Sequence, residues 1–148
     1  MPQPPSGRLM DAKWMLLPLA AQVLLTAYSA VVMRNRRLHA VRVEGLDPLY
    51  FKTKQQGEPP RGMKQADDLF ENLFETPVIL FAGGLAAMAL NLVDEVLLGL
   101  ASLYIVCRVL HAREMLGKNS IRKRFKPWVV SLFTLAAMWL WLTAQAFL

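Results

Sequence analysis

The sequence predicts an all-α integral membrane protein, a bundle of four transmembrane helices, and three observations carry that prediction. Hydrophobic residues fill 55% of the 148 positions, and the mean hydropathy is +0.31, too apolar for a soluble domain of this length. The apolar residues gather into four runs, each long enough to cross about 30 Å of hydrocarbon as a helix. Nearly all of the charge lies between those runs.

The spans are expected at about 14–33, 65–93, 96–112 and 127–148, forming a single domain over 1–148. The first opens on an interfacial Trp14 and is closed by Arg34, Arg36 and Arg37. That basic cluster acts as a stop-transfer signal, and the run is longer than the apolar core of a cleaved leader. The second contains Pro77, which removes an amide and frees the carbonyl one turn back at Leu73, so a kink or an extra polar partner is expected there. Only a short acidic turn at Asp94 and Glu95 separates the second span from the third, which forces an antiparallel hairpin. The fourth begins at Pro127, a favourable first-turn residue, and carries Trp128, Trp139 and Trp141. Between the first two spans, Gly45, Asp47-Pro48 and the run from Gly57 to Gly62 read as irregular chain with no packed core of its own. The N-terminal Pro2 to Gly7 reads as a low-complexity, disordered stretch.

Charge orients the bundle. The segment from Arg34 to Lys64 carries eight Lys and Arg, and that from Ala112 to Lys126 carries six. Only Arg8 and Lys13 precede the first span, and the second-to-third turn and the C-terminus have none. With four spans both basic segments fall on one side, so the positive-inside rule places them in the cytoplasm and both termini outside; in a bacterium the membrane is then the cytoplasmic one. Arg36, Arg37, Lys123, Arg124 and Lys126 are expected to touch anionic headgroups of the membrane lipids. The net charge of +6 does not point to nucleic acid, because the basic residues flank apolar spans instead of covering a polar domain. Cys107 lies inside an apolar run and reads as a small core residue. No metal site is expected, since neither His39 nor His111 has a second ligand at suitable spacing.

Polar residues also enter the spans. At 100° per residue, Lys64, Asp68, Glu71, Asn72 and Glu75 share less than a third of the circumference of the second helix. Glu75 is the deepest, and a carboxylate facing lipid costs a few kcal/mol, so it is expected to face the bundle interior, a water-filled cleft or a subunit interface. On the third helix Tyr104, Arg108 and His111 share one side. An antiparallel hairpin sets Arg108 at the depth of Glu75, where the two form an ion pair that locks the helices or belongs to a polar site, the alternative being that Arg108 reaches out to the headgroups. Ala82, Gly83, Ala86, Ala87 and Ala89 allow close approach of neighbouring helices, within the chain or in an oligomer.

These residues resemble a known family, the membrane-associated proteins in eicosanoid and glutathione metabolism, or MAPEG proteins. The resemblance lies in the four-span layout, in Asn72-Leu73-Phe74-Glu75 followed by Pro77, and in Arg108 with His111. It implies a homotrimer with ligand held between subunits. It also implies a glutathione site formed by Asn72, Glu75, Arg108, His111 and Asn119, with glutathione as co-substrate and a lipophilic small molecule as the second substrate. Arg108 and Arg122 would be the catalytic cations that stabilise the thiolate. Two positions depart from the enzymes. Asp68 stands where they carry an arginine, and Met115 stands where they commonly carry an aromatic hydroxyl, which a thioether cannot replace as a donor. The resemblance therefore leaves two functions open: a glutathione-dependent transferase or peroxidase, and a non-catalytic membrane protein of the same fold that binds lipid or a partner.

Overall fold

The computed structural model describes residues 10–53 and 57–148, so Pro2 to Gly7, Arg8 and Lys54 lie outside it. A 3-10 turn over Ala12–Met15, started by the Asp11 carboxylate on the Lys13 amide, leads into α1, Leu16–Arg42. A short α2, Tyr50–Thr53, follows. The second span is built from α3, Arg61–Glu75, and α4, Pro77–Ala89, with Thr76 between them. The third is α5, Glu95–Leu116, and the fourth is α6, Ile121–Phe147. The four spans are each long and apolar enough to cross a membrane, and the architecture is a four-span, all-α membrane bundle. Its outer surface is consistent with hydrocarbon as solvent: Leu24, Phe133 and Leu140 are each at least 70% exposed, a disposition that water would penalise.

The expected kink is present at Thr76. Pro77 is the first residue of α4, where its missing amide costs no intrahelical bond, and the Thr76 hydroxyl meets the Tyr104 hydroxyl at 2.9 Å. The helix–helix interface is tight at this span. A Cβ on Gly83 would lie 3.2 Å from Met138 and Trp139 of α6, and one on Gly84 would lie 3.0 Å from Leu19 of α1. The small residues thus seat α4 against its own chain. The main core joins Leu19, Leu80, Leu97, Tyr104, Leu135 and Met138 from all four spans.

Several boundaries differ from the sequence expectation. α1 continues nine residues past Met33 because Arg34, Arg36 and Arg37 are good helix formers, and hydropathy registers only where the apolar run stops. Past α1, a buried cluster of Ala40, Leu46, Tyr50 and Met63 packs a connection expected to have no core; Gly45, at φ 73, makes the left-handed turn that begins it. The second span ends at Ala89, four residues early. Asn91 adopts φ 54, the Leu92 amide donates to the Ala87 carbonyl at 2.9 Å, and the Asn91 amide to Met88 at 3.2 Å. These two bonds define a Schellman stop. α6 starts at Ile121, so Pro127 lies inside the helix and not in its first turn.

Asp94 is fully buried and holds the other end of the hairpin. Its Oδ1 accepts from the Leu97 amide at 2.8 Å as the cap of α5. Its Oδ2 accepts from Trp141 Nε1 at 2.8 Å and from Gln145 Nε2 at 2.6 Å, tying the start of α5 to the end of α6.

Candidate functional site

α3 presents an apolar face, Met63, Ala66, Leu69 and Leu73, to the bundle. The spacing of three and four that buries those residues places Lys64, Asp68, Glu71 and Glu75 on the opposite, exposed side. α5 brings Tyr104, Arg108 and His111 to its buried side. Where the two helices meet the start of α6, a cleft of about 380 Å³ opens at the basic end of the bundle, within the range of small-molecule sites. Asp68, Glu71, Asn72 and Glu75 form its acidic wall. His111 and Arg124 face them, and Met115, Ile121, Phe125 and Trp128 supply an apolar floor.

Arg108 is completely buried, so it does not reach out to the headgroups. Its Nη2 donates to the Asn72 carbonyl at 3.1 Å and to Asn72 Oδ1 at 2.5 Å. Asn72 Nδ2 in turn donates to Glu75 Oε2 at 3.0 Å. Glu75 and Arg108 do lie at one depth, but Asn72 bridges them in place of a direct ion pair. The two charges also fix the amide's orientation, oxygen toward guanidinium and nitrogen toward carboxylate. Arg108 Nε and Nη1 have no hydrogen-bond partner among the described residues. Buried donors left unpaired are costly, and the partner that Arg108 does have, Asn72, lines the cleft.

The other cation of the cleft is Arg124, and two of the predicted site residues hold it. Asn119, at φ 52, accepts from Arg124 Nη1 through its side-chain oxygen at 2.7 Å. His111 Nδ1 lies 2.9 Å from the Arg124 carbonyl. A carbonyl can only accept, so Nδ1 carries the proton. That bond ties α5 to the first turn of α6, ahead of Pro127.

The structure thus brings Asn72, Glu75, Arg108 and His111 together, with Asn119 behind Arg124. Arg122 is exposed and outside the cleft lining. Asp68 and Met115, the two departures from the enzyme pattern, both line the cleft. Sequence reasoning did not single out Ile121, Phe125 or the Arg124–Trp128 pair as site residues. Their spacing of four marks one helical face, and Ser120, a residue type favoured before a helix start, was the available signal that α6 begins early enough to include them. Arg36 and Arg37 also turn inward from their expected headgroup contacts. Arg36 donates to the Gly62 and Leu116 carbonyls at 2.8 and 2.9 Å, and Arg37 pairs with Asp67 at 2.8 Å.

The fold and the site define an integral membrane bundle of four spans with a mixed-charge cleft at its basic end. The chain belongs to the MAPEG family, which matches residues 15–144. Neither the comparison with curated proteins nor that with solved structures gives a match.

Proposed function

We propose that the cleft binds glutathione and that the protein joins its thiolate to a lipophilic electrophile entering from the bilayer. The observation that carries this reading is the Arg108–Asn72–Glu75 relay, a fully buried cation with two unpartnered nitrogens set behind a wall of carboxylates. A lining with both signs of charge suits a zwitterionic peptide better than a purely apolar substrate. In this scheme Asp68, Glu71 and Glu75 receive the ammonium of the peptide, and Arg124 receives a carboxylate. The field of Arg108 favours the thiolate over the thiol. His111 and Asn119 act through Arg124, by holding its carbonyl and its guanidinium. Arg122, outside the lining, yields its cationic role to Arg124.

The thiolate then attacks the electrophile: the sulfur–carbon bond forms from the thiolate lone pair, and the leaving group departs with the bonding pair. With a hydroperoxide, the same attack forms a sulfur–oxygen bond as the O–O bond breaks and the alkoxide leaves to take a proton, and a second glutathione reduces the resulting sulfenic acid, giving the disulfide and water. The scheme includes the family's homotrimer, with ligand between subunits, and a cytoplasmic basic end. Conjugation by detergent-purified protein, assayed with glutathione and a chlorinated nitrobenzene, tests it. Activity is expected for the wild type and a loss of at least tenfold for Arg108→Met; absent activity, or activity indifferent to Arg108→Met, overturns it.

A second reading, a non-catalytic member that binds lipid or a partner in the same cleft, is favoured by one observation. Asp68 adds negative charge and Met115 offers no hydroxyl at the two lining positions where the enzymes differ. Glutathione binding without turnover separates ligand binding from catalysis. Absence of both, with assembly intact, selects the second reading.

A further inference from the structure

Arg36, Arg37 and Arg124 are drawn into the protein, but Arg113, Lys123 and Lys126 are not. All three are exposed, and none makes an ion pair or side-chain hydrogen bond among the described residues. They converge with Leu110, Glu114 and Pro127 on a groove of about 450 Å³ between α5 and α6, away from the cleft. Glu114, whose Oε1 accepts from the Ser120 amide at 3.1 Å, brings one negative charge to the groove against the three cations. Below it the exposed surface is apolar on both helices. On α5, Leu103, Val106 and Leu110 are 45%, 55% and 49% exposed and recur at three and four residues, leading directly to Arg113. On α6, Lys126 is followed at the same spacing by Val130 and Phe133, 43% and 71% exposed.

We propose that this groove is a binding site for an anionic phospholipid, with its phosphate on Arg113, Lys123 and Lys126 and its acyl chains along the apolar faces of α5 and α6. Charge complementarity selects the headgroup, since three unpaired cations at the end of a membrane span attract an anionic lipid and gain little from a zwitterionic one. The apolar bed in line with the cations selects a lipid over a soluble anion, which would leave that bed unused. A second copy presenting the same face would set like charges against each other. The site shares no residue with the glutathione cleft and stands or falls separately from it.

Native mass spectrometry of the full chain in detergent, with added phosphatidylglycerol or phosphatidylcholine of identical chains, reads the site. Wild-type protein is expected to retain phosphatidylglycerol preferentially, and excess inorganic phosphate is expected not to displace it. The triple variant Arg113→Gln, Lys123→Gln, Lys126→Gln loses affinity by about fivefold for each charge removed. Arg42→Gln, Lys52→Gln, Arg61→Gln removes equal charge elsewhere and retains the lipid. If the triple variant does not elute as the wild-type particle, Lys126→Gln alone, with a drop of about fivefold, decides. Equal losses in both triple variants, no preference between lipids, displacement by phosphate, or crosslinking of Leu110→Cys to a second copy would overturn the proposal.

Discussion

At the scale of single residues the molecule is governed by charges taken out of water. Arg108 makes hydrogen bonds through only one of its three nitrogens, and a buried charge so poorly compensated contributes little or negatively to stability. Arg108→Met, which fills similar volume without charge, is expected to unfold no more readily than the wild type in a detergent melt while losing glutathione affinity. A merely structural arginine would show the opposite pattern. Asp94 is the contrasting case, because its carboxylate accepts three hydrogen bonds inside the bundle. Asp94→Ala removes the cap of α5 and strands the Trp141 and Gln145 donors. The expected loss is about 3 kcal/mol in reversible unfolding. Asn72, Glu75 and Arg108 were legible in the sequence because helical spacing and antiparallel pairing place them at one depth. Asn72's position between the charges was not, since spacing gives depth and face but not which of three polar groups stands in the middle. Arg124 was hidden among six Lys and Arg of one segment, where composition cannot distinguish a cation held by Asn119 from one left to the lipid.

At the scale of elements, two prolines shape the site. Pro77 divides the second span and brings Thr76 to Tyr104; its expectation from sequence was sound because the missing amide acts locally. Pro127 was read as a helix start, but it sits in the second turn of α6, after a first turn held to α5 by His111 on the Arg124 carbonyl. That support is tertiary and leaves no mark in the local sequence. His111→Phe keeps the ring's bulk but removes the hydrogen bond to the Arg124 carbonyl. It is expected to destabilise the protein by about 1 kcal/mol and to raise hydrogen exchange at the start of α6 ahead of α5. The tight crossing of α4 gives a separate prediction. Lipid removes the hydrophobic drive between helices, so close packing carries the association. Gly83→Val would set its Cβ 3.2 Å from Met138 and Trp139, displacing them, and lower stability by about 1–3 kcal/mol, read by a thermal melt in detergent.

At the scale of the whole molecule, four spans, their order and the hairpin of the second and third were legible because the bilayer demands long apolar runs with every backbone group satisfied. The ends of the spans were less so. Asn91 stops α4 by its backbone conformation and Arg34–Arg42 prolongs α1 by propensity, and neither effect registers in hydropathy. The asymmetry of basic residues between the two ends predicts that a cysteine at Arg61 is labelled from the cytoplasm and one at Gln145 only from outside. The reverse pattern would invert the proposed orientation. Whether the cleft holds glutathione is read by calorimetric titration of glutathione into the purified protein. Saturable binding is expected, weakened about tenfold by Arg124→Gln through loss of one charged hydrogen bond of about 1.5 kcal/mol, and unchanged by Arg122→Gln. No saturable binding to the wild type, or equal weakening by the two substitutions, would contradict the proposed site.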